Sequence, residues 1–112
     1  MESIKRRFKE KIFRTLFDIV VLRYIKENGK LGGYNFMMYV RRRFGITLSS
    51  GTVYSRIYSL ERQGLVKGEL EGRRRVYTLT KEGEAALNSI LADPSAAQLL
   101  KLFGISGEGV EA

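Results

Sequence analysis

The side chains in this sequence with the types and spacing for chemistry are arginines and short hydroxyls. The stretch 49–64 reads SSGTVYSRIYSLERQG. Val53, Ile57 and Leu60 fall at i, i+4 and i+7, one apolar stripe at helical period. The opposite face carries Thr52, Ser55, Arg56, Ser59, Arg62 and Gln63, with the single acid Glu61 at its edge. A surface helix that needs only solubility uses Glu/Lys pairs at i, i+4. This face instead offers short donors that let a backbone approach closely. It also offers arginine, the commonest reader of guanine through paired donors to O6 and N7. Two more arginine runs flank it, Arg41, Arg42 and Arg43 before and Arg73, Arg74 and Arg75 after. The chemistry on offer is hydrogen bonding and charge neutralisation of a polyanion, not bond making.

The composition agrees. The 112 residues carry a net charge of +8, with no cysteine and no histidine. The usual general base, proton shuttle and commonest zinc ligand are therefore missing, and no disulfide or thiolate metal site is possible. The sequence has no phosphate-cradling glycine loop and no nucleophile elbow. We expect no enzyme, no metal and no cofactor. The charge is uneven: residues 1–75 hold 18 Lys/Arg against 7 Asp/Glu, and residues 76–112 hold 2 against 5. Positive charge gathered in one part of a chain is the footprint of a polyanion binder. Apolar runs are far short of a membrane span, and the N-terminus has no signal-peptide pattern. A cytoplasmic protein without a membrane partner is expected.

Elements must position these groups. Ser49 or Ser50 can cap the helix described above, and Gly64 suits its C-terminal end. Upstream, residues 3–28 predict one long helix. Ile4, Phe8, Ile12 and Leu16 form one stripe, continued by Ile19, Val20, Leu22 and Ile25, and Phe13, Phe17, Val21 and Tyr24 add a second. That exceeds what one face of a small domain needs, and subunit contact or burial under the C-terminal segment would use the surplus. Residues 30–33 read as a turn and 34–44 as a second helix. Downstream of Gly64 the period changes to two. Residues 65–70 and 74–79 form a hairpin with Glu71-Gly72-Arg73 as its turn, and Glu69 and Glu71 read as solvated charges. Thr80 caps a further helix, and Asp93-Pro94 opens a short last one, 95–103, with Ala96, Leu99, Leu100 and Phe103 on one side.

The order helix, helix, turn, helix, two-stranded wing, helix is mainly α and defines a winged helix-turn-helix. Over residues 15–90 the chain resembles the PadR-type transcriptional regulators. The resemblance lies in Gly33-Tyr34, Phe44-Gly45-Ile46, Leu48-Ser49, Gly51-Thr52-Val53-Tyr54, Leu60-Glu61, Gly64-Leu65, the wing from Gly72 to Tyr77, and Leu79-Thr80 with Glu82-Gly83. The family often has proline where this chain has Ser50 and Ser55, so base preference does not transfer. The short C-terminal region resembles the compact subgroup.

The resemblance implies a homodimer on inverted-repeat double-stranded DNA, commonly as a repressor. The reading helix would present Ser49, Ser50, Thr52, Tyr54, Ser55 and Arg56 to the bases. Arg73, Arg74 and Arg75 of the wing, with Arg42 and Arg43, would meet the backbone. Tyr54 has a second reading, packing against the second helix. Residues 1–92 would be the DNA-binding domain, 93–104 a dimerisation helix and 105–112 a flexible tail. Phe8, Ile12, Phe13, Leu16, Phe17, Leu99, Leu100 and Phe103 would join the two copies, and some of these aromatics could line a cavity for an apolar effector. A protein-docking winged helix and a sequence-indifferent architectural protein are the competing readings.

Overall fold

In the computed structural model, residues 1–102 and 104 are described. Five helices and three short strands follow in the order α1 (Glu2–Asn28), β1 (Leu31–Gly32), α2 (Gly33–Phe44), α3 (Ser50–Arg62), β2 (Val66–Glu71), β3 (Arg74–Leu79), α4 (Lys81–Ala92) and α5 (Pro94–Leu102). The expected tail at 105–112, and Phe103, lie outside the described residues.

Helix boundaries follow local chemistry. The Gly29 N–H closes α1 by donating to the Ile25 carbonyl at 2.7 Å. Ser49, not Ser50, is the cap of α3, its Oγ accepting the Thr52 N–H at 3.1 Å. Thr80 caps α4 by accepting from Gly83 N–H at 3.0 Å, and its hydroxyl donates to the Gly64 carbonyl at 2.6 Å. One side chain thus ties the start of α4 to the end of α3. Asp93 caps α5 through Ala96 N–H at 2.9 Å. Such caps are each worth about 0.5–2 kcal/mol.

The sheet is antiparallel, in the order β1-β3-β2. Val66 faces Leu79 and Glu71 faces Arg74 across the hairpin. Gly72, with φ of +66°, takes the first of its two turn positions, and glycine there admits the tight hairpin turn whose twist matches the strands. The third strand lies where the sequence predicts only a turn. Leu31 pairs with Tyr77 and Gly32 with Val76, which seats the fully buried Leu31 in the core. Two residues are too few to show a period of two, so only the distant partner makes this a strand.

The core lies between the C-terminal half of α1, α2, α3 and the sheet. Phe17, Val21, Ile25, Phe36, Val40, Val53, Ile57, Leu60 and Tyr77 are all buried there. Aromatic rings knit α1 to α2: Phe17 meets Phe36 edge-on at 5.8 Å and Tyr24 meets Phe36 at 5.2 Å. Gly83 marks a close backbone approach, because a methyl group there would overlap the Leu65 carbonyl oxygen.

Candidate nucleic-acid interface

Helix α3 buries Val53, Ile57 and Leu60, and that fixes which residues face out. At 3.6 residues per turn, Gly51, Ser55 and Arg62 lie opposite the buried stripe, and Gly51 and Ser55 are exposed there, as is Arg62. Ser50 is exposed at the start of the helix. Ser49 and Thr52 are engaged with each other: the Ser49 hydroxyl donates to Thr52 Oγ1 at 2.9 Å while accepting the backbone N–H. Their first role is to build the helix start. Tyr54 is half-buried, and its hydroxyl lies over Gly33, where a methyl would collide with it. This is the packing contact with α2. Tyr58 stands beside it, ring centroids 6.0 Å apart, and is 44% exposed.

Arg56 does not share the outward line. It sits on the flank of α3 facing α1, where its Nη2 donates to Asp18 Oδ2 at 2.8 Å. The pair joins residues 38 apart, and nothing in the local pattern of α3 signals it. Arg62, by contrast, stands seven residues after Ser55, two helical turns along the same line. That spacing keeps Arg62 on the outward face, where the sequence already places it.

The three wing arginines divide. Arg75 turns toward α3, where Glu61 accepts from Arg75 Nη2 at 3.0 Å and from the Gly68 N–H at 3.1 Å. Arg75 Nε also donates to the Tyr77 hydroxyl at 3.2 Å. Burial raises the Tyr77 phenol above its ordinary value, and that hydrogen bond partly opposes the rise. Arg75 is thus a clamp between wing and helix. Arg74 lies 3.5 Å from Glu71, whose carboxylate also accepts from Lys30 Nζ at 2.7 and 2.8 Å. The hydrogen bond from Lys30 is the main cause that holds the Glu71 carboxyl below the usual glutamate range. Glu71 is therefore ion-paired and not simply solvated, because Lys30 beside β1 reaches it across the sheet. Arg73, in the turn, is exposed and has no ion pair among the described residues. Arg42 is exposed at the end of α2, while Arg43 donates to the Gly104 carbonyl at 3.1 Å and stacks over the Phe44 ring.

The expected dimer residues also divide. Phe13 and Phe17 are 4% and 1% exposed within the single protomer. Both rings are committed to the core of the protomer, and of the two only Phe13 borders the groove beside α1. Leu100 is likewise buried. Phe8 and Leu99 remain exposed, at 65% and 60%. Ile12 and Leu16 are half-buried, and with Phe8, Phe44 and Ile46 they line a groove of about 180 Å³ beside α1.

Among the described residues no helix is long and apolar enough to cross a membrane. None of them forms a cluster of three or more His, Cys, Asp or Glu that could hold a metal.

A buried three-helix core with a basic hairpin beside an exposed helix is the winged-helix arrangement. Solved structures share it. A PadR family transcriptional regulator from Eggerthella lenta superposes with a TM-score of 0.66 at 23% identity, covering 92% of this chain and 89% of its own. A winged-helix DNA-binding protein from STIV superposes at 0.56 with 23% identity, covering 76% and 84%. A PadR family transcription regulator from Clostridium difficile is 25% identical with a TM-score of 0.61, covering 80% and 91%. No curated protein sequence matches the chain. The profile of the transcriptional regulator PadR-like family matches residues 21–89, and the chain belongs to that family. It is a transcriptional regulator with the winged-helix fold.

Proposed function

We propose that this regulator reads a specific duplex sequence as a homodimer and represses transcription by occupying it in the cytoplasm. The observation that carries the reading is the outward line of α3. Small residues, Ser50, Gly51 and Ser55, leave its N-terminal half slim enough to enter a major groove, and Arg73 is exposed at the wing tip. In this geometry α3 lies in the groove and the wing meets phosphate or the adjacent minor groove. Arg42 at the end of α2 supplies a further backbone contact.

Affinity then comes mainly from phosphate neutralisation and specificity from few base contacts. A dimer placing about 6–10 cations on phosphates loses roughly 10³–10⁵ in affinity between about 50 and 200 mM salt. The uncovered apolar side of α1, Ile4 and Phe8 with the groove beyond them, supports a second copy as its cover. Two-fold symmetry would set half-sites about 34 Å apart.

The test is binding across a salt series to a duplex enriched by the protein from a random pool, against a shuffled duplex of equal length. A preference of about 10³ or more supports a site-specific regulator. Equal, steeply salt-dependent binding to both overturns it in favour of an architectural protein. Absence of binding at low salt favours a protein-docking winged helix.

A further inference from the structure

We propose that Asp18 sets the sequence discrimination of this protein by withholding Arg56 from phosphate and yielding it only to a matching base pair. The inference rests on the DNA-reading role proposed above.

Arg56 is one of two arginines on α3 and the one nearer its N-terminus, yet the fold turns it aside. It precedes the fully buried Ile57 and lies on the side of α3 that packs against α1. Asp18 meets it from α1 with a single carboxylate oxygen at 2.8 Å. The two side chains are 45% and 32% exposed, so the pair stands at the edge of the domain and is open to solvent. Nε and Nη1 of Arg56 make no hydrogen bond among the described residues. The guanidinium is thus restrained at one corner and open elsewhere.

The carboxylate explains why release is conditional. Asp18 Oδ1 is buried and has no hydrogen-bond partner among the described residues. Arg56 is therefore the group that compensates the charge of Asp18. When Arg56 leaves, a partly buried carboxylate loses that compensation, which carries a penalty beyond the loss of an exposed ion pair. In a hydrated non-specific complex Arg56 would trade the Asp18 carboxylate for a solvent-screened phosphate, and that exchange does not offset the penalty. A guanine edge accepts two directed hydrogen bonds inside a groove from which water has been excluded. Non-specific DNA thus leaves the pair closed, and the matching site opens it.

The experiment uses the full chain with two probes, the duplex enriched by the wild type from a random pool and a shuffled duplex of the same composition. Asp18→Asn is expected to raise affinity for the shuffled duplex by roughly two- to tenfold. It should also steepen the salt slope by about 0.9 for each protomer, the signature of one more neutralised phosphate per copy. The enriched duplex gains less, so discrimination narrows. Glu10→Gln makes the same change of charge about two turns away on α1 and corrects for net charge alone.

In an Arg56→Ala background the Asp18→Asn gain should vanish. A gain no larger than that of Glu10→Gln, or one that persists without Arg56, overturns the proposal. If Asp18→Asn fails to fold, Arg56→Ala alone still decides. It should weaken the shuffled duplex no more than loss of a distant cation does, as in Lys101→Ala, and weaken the enriched one roughly tenfold or more, whereas equal loss on both overturns the proposal. Should the wild type bind neither duplex, or enrich no sequence, the DNA-reading role itself fails and the proposal with it. That failure is visible before any variant is made.

Discussion

The two halves of α1 have the same kinds of residue and opposite fates. From Phe13 to Ile25 the helix is buried: Phe13, Phe17, Val20, Val21, Leu22 and Ile25 all belong to the core. From Met1 to Lys9 every residue is exposed, Ile4 and Phe8 among them. The helical period runs unbroken through both halves, and the phenylalanines differ in nothing but their neighbours. A helix of 27 residues is about 40 Å long, and the rest of the chain is too small to cover all of it. The apolar stripe therefore continues past the end of the domain it stabilises. One half of the pattern is a core, and the other is a surface without a cover in the protomer.

Replacing the same residue type in each half would break or sharpen this contrast. Phe17→Ala should cost about 3–5 kcal/mol of unfolding free energy. The ring is 1% exposed and packs edge-on against Phe13 and Phe36 at 5.7 and 5.8 Å, so its loss leaves a cavity that the neighbouring rings cannot fill. Chemical denaturation reads this directly, and a loss under about 1 kcal/mol would show that the core collapses around the gap. Phe8→Asp should leave protomer stability within about 0.5 kcal/mol, the ordinary range for a surface change. It should weaken self-association roughly 30-fold or more, as expected when an aromatic anchor is removed from an interface. Sedimentation equilibrium separates the two effects. An unchanged association constant would mean that the exposed half of α1 is not the joint between copies.

What is legible in the sequence follows the same division. Thr80 and Asp93 are readable as caps, and that of α3 narrows to Ser49 or Ser50, because a cap is decided within four residues. The hairpin is readable because its turn and alternation are local. Phe13 and Phe8 cannot be told apart, because burial depends on Phe44 and on how far α2 extends beside α1. The β1 strand depends on Tyr77, and the restraint on Arg56 depends on Asp18, each far away in sequence. The position of Arg75 is partly legible. Residues 75, 77 and 79 share one face at period two, so the burial of Tyr77 already implies that Arg75 turns inward with it. Reading the three wing arginines as one cluster overlooks that alternation.

Charge on the wing repeats the contrast between engaged and free groups at smaller amplitude. Glu71 is held below the ordinary glutamate range, first by the hydrogen bond from Lys30. A carboxylate whose folded value is depressed contributes stability that is fully present above its unfolded value. That contribution is lost as the pH falls from the ordinary range through the lower folded value. Titration of the Glu71 carboxyl by NMR should therefore give a midpoint below that of glutamate in an unfolded peptide. Lys30→Ala should move the midpoint up toward it. A midpoint that ignores Lys30 would mean that the contact between β1 and the wing is not maintained in solution.

The smallest expected effect separates two residues only two positions apart. Arg73→Ala should leave stability unchanged and lower the salt slope of duplex binding by about 0.9 for each protomer, because one phosphate fewer is neutralised. Arg75→Ala should do the reverse. Its guanidinium is held by Glu61 and the Tyr77 hydroxyl, so its removal should loosen the wing against α3, seen as faster amide exchange at Gly68, with little change of slope. The Gly68 N–H is a suitable reporter because it donates to the same Glu61 carboxylate oxygen that Arg75 engages. If both substitutions lowered the slope equally, Arg75 would exchange Glu61 for phosphate on binding. The inward and outward arginines would then differ only in the free protein.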